Sequence, residues 1–288
     1  MKINWYSFRI GLVSFMIVLL LMPIGHALMV LNEIILQDHK FLGAFGIGFI
    51  GLILLVFGLV NNHHRNTATV LGFLAGVLVW TGWVEFSFVW IAEKLKVAPL
   101  MDGDGILTKP EYLVMLSSIG LLLSFLLLFL FSKTKCTFFV WIQKIFKIKQ
   151  HIDDNKASFK PLAIITFIET IMLLWTFYIV LLVVYDNDIA GDRHPATFIV
   201  ALGSLIWSLY LIFKLLRISK LDYAIRYAIP TVIIFWNVVE IMGRWNLFQE
   251  IWVLPIEYIL ENVAILLGLI GVSLYYFYFK KKKKIQPK

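Results

Sequence analysis

The chain has 288 residues, 60% hydrophobic and 15% charged, with a mean hydropathy of +0.86 and a formal net charge of +8. A soluble domain is about 45–50% apolar and roughly 25% charged, and here the apolar excess falls in blocks of about 20 residues, the length that crosses a hydrocarbon core. No segment is left to form a soluble enzyme or nucleic-acid-binding domain, and the single cysteine, Cys136, excludes an internal disulfide or a cysteine metal knuckle.

Eight apolar blocks follow one another. Each is read as a helix, because lipid offers no partner for an open backbone; runs such as LLLSFLLLFLF lack the alternation of a barrel strand. The first, 8–31, is too long for a signal peptide and shows no small-residue cleavage site. It carries His26 near its far end, in MPIGHALM after Pro23, and Asn32, Glu33, Asp38 and His39 follow in a loop. The second, 41–61, ends in the polar turn NNHHRN. The third, 69–92, contains GVLVWTGWVEFSFVW, which places Glu85 inside the span. A carboxylate there is costly and marks a functional candidate.

Between the third block and the fourth, 112–132, lies LMDGDGILTKPEY. Asp102, Asp104, Gly105, Thr108 and Glu111, with Leu107 as the apolar member, are spaced as in the later part of a calcium loop. The segment resembles an EF-hand loop over about 12 residues, with Leu100 where the first oxygen ligand belongs. The resemblance implies a Ca²⁺ site at 102–111. The competing expectation is an Asp-Gly turn before a helix that Thr108 caps and Pro110 opens.

Residues 133–160 form the longest connection and hold seven lysines. Within it, TFFVWIQKIFKIK sets Phe138, Trp141, Ile142 and Ile145 on one helical face, either as an interfacial helix on anionic lipid or as an extension of the fourth span. The fifth block, 161–185, carries Glu169 near one end and leads to Asp186, Asn187, Asp188, Asp192 and His194. After the sixth, 196–216, the seventh, 227–246, contains TVIIFWNVVEIMGRW, with Glu240 inside it and Arg244 one turn later as a candidate ion-pair partner. The eighth, 258–279, has Glu261 near one end and runs into the basic tail KKKKKIQPK.

Lysine and arginine set the orientation. With both termini cytoplasmic, 20 of the 26 basic residues fall on the cytoplasmic side, leaving Lys40, Lys94, Lys96, Lys109, Arg193 and Arg244 outside. The positive charge then serves topology and attraction to anionic lipid rather than nucleic acid. The expected localisation is a plasma membrane or bacterial inner membrane, in a homo- or hetero-oligomer or alone.

The rare polar residues recur. At an offset of 155, Glu85 falls on Glu240, Trp90 on Trp245, His39 on His194, Gly48 on Gly203, and Asn32-Glu33 on Asn187-Asp188. At an offset of 146, Glu111-Tyr112 falls on Glu257-Tyr258. The reading is an all-α polytopic membrane protein with a parallel four-plus-four tandem repeat. Its parts are 1–132, the connector 133–160, the second repeat 161–279 and the tail 280–288. Such repeats occur in transporters, with sites at the repeat interface.

His39, His194, Glu85 and Glu240, with His26, supply an imidazole and carboxylate donor set suited to a divalent transition metal; the alternatives are a proton- or cation-handling carboxylate pair, and structural contacts in which each glutamate accepts from Trp, Tyr or Asn or stays protonated. Asn32, Glu33, Asn187 and Asp188 share the outer polar layer. Three functions fit. The first is a small cation- or proton-coupled transporter. The second is a membrane-embedded metal-dependent enzyme acting on a lipid or hydrophobic substrate from the outer side. The third is a subunit of a larger membrane complex.

Overall fold

The computed structural model describes residues 4–102, 105–131, 137–147 and 161–285; for 102, 105–107, 137 and 277–285 only the backbone is described. Nearly all of them are helical, and a single short hairpin, β1 (Leu100–Asp102) with β2 (Gly105–Thr108), interrupts the helices. This is an all-α membrane-embedded protein with several crossings. Among the described residues, six helical stretches are long and apolar enough to cross a membrane, or seven when α5 (Pro110–Leu116) and α6 (Ile119–Phe131), bent by 46° at their junction, count as one crossing.

Eight crossings were expected, and the difference lies at the N-terminus. The blocks 8–31 and 41–61 fall in one helical stretch, Trp5–Val60, made of α1 (Trp5–Leu36), a 3-10 turn at Gln37–His39 and α2 (Lys40–Val60). Its 56 residues correspond to about 84 Å of helix at ~1.5 Å per residue, well beyond one ~30 Å core. The polar stretch between the blocks is a tight helical turn rather than an extended loop. The backbone leaves the α region only at Gln37, with φ 43° and ψ −108°. Asn32 closes this turn, its Nδ2 donating to Lys40 O at 2.8 Å.

The chain groups into two compact units, residues 1–40 with 200–288, and residues 41–199. In the second unit, α3 (Arg65–Val79) and α8 (Leu162–Tyr185) pack through small residues. A Cβ on Gly72 would stand 2.8 Å from Ala163 Cα, and one on Gly76 would stand 2.7 Å from Thr170 Cβ. Such contacts let backbones approach where lipid gives no hydrophobic drive for helix association. Glu169, which lies near one end of its expected span, is buried in α8 close to this seam, 3% exposed. Asn62, in the turn before α3, accepts a hydrogen bond from Leu162 N at 3.0 Å and so ties that turn to the start of α8.

α3 runs into a π-turn, Trp80–Glu85, and then α4 (Phe86–Leu95). After the hairpin, Pro110 opens α5 as expected. Lys109 rather than Thr108 takes the N-cap position, without a side-chain bond, because Thr108 still belongs to β2. Of the calcium-loop residues, Asp104 and the side chain of Asp102 lie outside the described residues; Thr108 ends β2 and Glu111 sits in the first turn of α5. In α7 (Thr137–Ile145), Gln143 is buried and donates to Leu130 O of α6 at 2.7 Å, while Trp141 and Ile145 are exposed.

In the first unit, α1 packs against α10 (Leu221–Arg244) and α11 (Ile259–Ile285). α10 begins six residues before the expected span. Asp222 and Arg226 lie buried in its first two turns rather than in a loop, which hydropathy alone does not foresee. Its middle is buried at Ile229, Val232 and Ile234, and Asn237 Nδ2 donates to Ser204 Oγ of α9 (Pro195–Leu215) at 3.4 Å. Both interior prolines, Pro23 of α1 and Pro230 of α10, are accommodated within their helices.

Candidate functional site

The C-terminal end of α10 gathers several polar groups of the first unit. Trp236 Nε1 donates to Glu240 Oε1 at 2.6 Å, one helical turn apart. His26 of α1 reaches the same oxygen, its Nε2 at 3.4 Å. The His26 ring also stacks on Trp236, 6.3 Å between centroids and 19° between planes. Both members of the His26–Glu240 pair stay partly open, with side-chain exposures of 22% and 24%. The carboxylate therefore has a strong donor, an imidazole neighbour and a partly exposed position.

The segment after α10 completes the cluster. Asn246 adopts a left-handed conformation, φ 57°, and turns the chain back after the helix. Trp252 then packs on Trp236 at 5.0 Å and joins it and Ala27 in a buried apolar group. Asn262 of α11 holds this segment by donating to Ile251 O at 2.9 Å. Glu250 is placed against Gly243, which has no side chain to exclude it. Burial pushes the Glu250 carboxyl up to about 7, Glu240 adds to the rise, and His26 and Arg244 oppose it. A group with that value exchanges protons near neutrality.

Of the residues expected to form one metal layer, the described geometry brings together His26 and Glu240. Glu240 bonds to Trp236, four residues before it, rather than to Arg244 four residues after, because Trp236 shares the His26 face of the helix. His39 is exposed in the 3-10 turn. His194 has a local role: its Nδ1 accepts from Ala196 N at 3.2 Å and its carbonyl from Thr197 N at 2.9 Å, so it caps α9. Glu33 O accepts from Gln37 N at the end of α1. Asn187 packs its Oδ1 against Gly191, whose φ is +102°, and Asp188 N donates to Asp186 Oδ1 at 2.9 Å. Among the described residues, no group of three or more His, Cys, Asp or Glu is placed to hold a metal ion.

Glu85 belongs to the second unit and has its own surroundings. It ends the π-turn, is 5% exposed, and accepts a hydrogen bond from Tyr178 Oη at 3.5 Å. Tyr178 packs against Trp80 at 6.1 Å and Tyr112 at 5.8 Å.

Sequence reasoning missed Glu250 and Trp252. The available signal was an acid between aromatics, FQEIW, ten residues after an acid already singled out in a span. No model of a known protein family, no curated protein and no solved structure matches the chain.

Proposed function

We propose that this membrane protein is a small cation- or proton-coupled transporter, with Glu240, Glu250 and His26 as the groups that take up and release the coupling ion. The observation that carries this reading is the shared Glu240 oxygen, held by Trp236 Nε1 at 2.6 Å and approached by His26 Nε2 at 3.4 Å, in a partly open position at a helix end. An ionisable pair at a membrane helix is the usual signature of an ion pathway. Glu250 supports the reading, since its carboxyl changes charge near neutral pH. With both termini cytoplasmic, this end of α10 opens on the extracytoplasmic side. A plasma or bacterial inner membrane fits that orientation.

The test is charge displacement on a solid-supported membrane carrying reconstituted protein. A jump from pH 8 to pH 6 is expected to give a transient current from proton uptake, and Glu240→Gln with Glu250→Gln to abolish it. Zn²⁺ and Mn²⁺ jumps in the same assay report whether a divalent metal competes for the same oxygens. Wild-type currents equal to those of protein-free membranes, or unchanged in the double variant, would overturn the reading.

A further inference from the structure

The chain leaves α10 by a reversal and returns past the site. Asn246 N donates to Gly243 O at 2.8 Å and Leu247 N to Met242 O at 3.1 Å, the paired bonds that end a helix on a left-handed residue. Residues 246–258 then lead to α11, where Asn262 N donates to Tyr258 O at 3.1 Å. Along this stretch only Trp252 and Pro255 are buried, while Leu247, Phe248, Val253, Leu254 and Ile256 are exposed. A segment with so few buried contacts opens more readily than the helices it lies against.

Three attachments hold the stretch down. The Trp252 ring packs 5.0 Å from Trp236, the indole that bonds Glu240 and stacks on His26. Asn262 Nδ2 donates to Ile251 O at 2.9 Å. The third is Glu250, whose carboxyl fills the notch left by the missing side chain of Gly243. The first two join neutral groups; the third carries a titrating one. Glu240 and Arg244 of α10 and His26 of α1 face the Glu250 carboxyl. Burial pushes it from 4.5 up to about 7, Glu240 adds to the rise, and His26 and Arg244 oppose it. A carboxyl that keeps its proton in the notch and gives it up more easily outside prefers the notch when neutral.

We propose that residues 246–258 form a strap over the His26–Glu240 pair, latched by the neutral Glu250 side chain at Gly243 and released when that carboxyl loses its proton. Trp252 and Asn262 keep the strap in register, and Glu250 decides how tightly it closes. Latching is complete below pH 4.5 and weakens as pH rises through about 7. As control of access to the ion site this rests on the reading above; as a property of the strap it is measured without any transport.

The experiment is hydrogen exchange of the full-length protein in detergent at pH 5 and pH 8, corrected for the intrinsic pH dependence of amide exchange. The amides of 250–258, among them Val253 N bonded to Glu250 O at 3.0 Å, are expected to exchange about tenfold or more faster at pH 8, since each unit of pKa difference is tenfold in the closing equilibrium. Amides of α10 and α11 should not follow. Glu250→Gln, neutral at both values, is expected to stay protected at both, and Gly243→Ala, which fills the notch, to exchange fast at both. Equal protection of the wild-type strap at pH 5 and pH 8, or a pH response that survives in Glu250→Gln, would overturn the proposal. A strap that responds in protein giving no pH-jump current upholds the latch and removes the ion-coupling reading; a current with an unresponsive strap does the reverse.

Discussion

The carboxylate of Glu250 lies in the space that a side chain at Gly243 would fill: a Cβ there would stand 2.6 Å from Glu250 Cδ. The group in the way is the far end of a flexible side chain, so Gly243→Ala is expected to evict Glu250 while leaving the helix folded. The carboxyl should then titrate closer to the ordinary range near 4.5. NMR titration of a side-chain-labelled Glu250 in the two proteins checks this.

The same carboxyl gives stability a pH dependence. Glu250 ionises near 4.5 in the ordinary state and near 7 in the fold. Between those values the unfolded chain releases a proton that the folded chain keeps, so the fold loses stability as pH rises through this window and no further above it. Melting temperatures in detergent should fall between pH 4.5 and 7. Glu250→Gln should flatten the fall.

Trp236→Phe keeps the ring stacked between His26 and Trp252 but removes the donor to Glu240. Glu240 is only partly buried, so losing the donor should cost less than the ~1–3 kcal/mol of a fully buried acceptor left unpaired. Denaturant unfolding should show that loss, and Glu240→Gln in the Trp236→Phe background should recover part of it, because a neutral amide is easier to leave unpaired than a carboxylate.

The seam between α3 and α8 makes a sharper stability test. A Cβ on Gly72 meets the backbone of Ala163, which cannot rotate away, whereas one on Gly46 meets nothing within 4 Å. Gly72→Ala is expected to destabilise by about 1–3 kcal/mol through overpacking. Gly46→Ala is expected to be neutral or slightly stabilising, since alanine is the better helix former. Parallel melts of the two variants separate these outcomes.

His194→Ala removes the side-chain acceptor at the start of α9. Losing such a cap costs about 0.5–2 kcal/mol, and His194→Asn should restore most of it because asparagine caps helices well. Thermal denaturation of both variants is the measurement, and equal loss in the two would show that capping is not the role of this residue.

Hydropathy made the membrane class legible, because blocks of 20 apolar residues have few other uses. It did not show how the first two blocks join. The turn at 37–39 is itself helical, so two blocks join without an extended loop, and α10 starts early because Asp222 and Arg226 are buried against the trend of their residue types. Glu240 and His26 were visible as costly residues inside spans. Their meeting was not, since nothing in the letters sets the register between α1 and α10. Glu250 hid in a short loop, where an acid is ordinary. It became part of the site through the backbone reversal at Asn246 and the missing side chain of Gly243.

The π-turn at Trp80–Glu85 acts on its helix as a one-residue insertion. Each residue of an α-helix advances about 100° around the axis, so α4 is turned by roughly that angle from where an unbroken helix would carry it. The stretch ending in Glu240 has no such break. Glu85 and Glu240 match letter for letter at an offset of 155, yet as screws the two stretches are out of phase by about a quarter turn. Deleting one residue within 80–85 would rotate the start of α4 back into step, and Trp90 and Lys94 would then point to a different side of their helix.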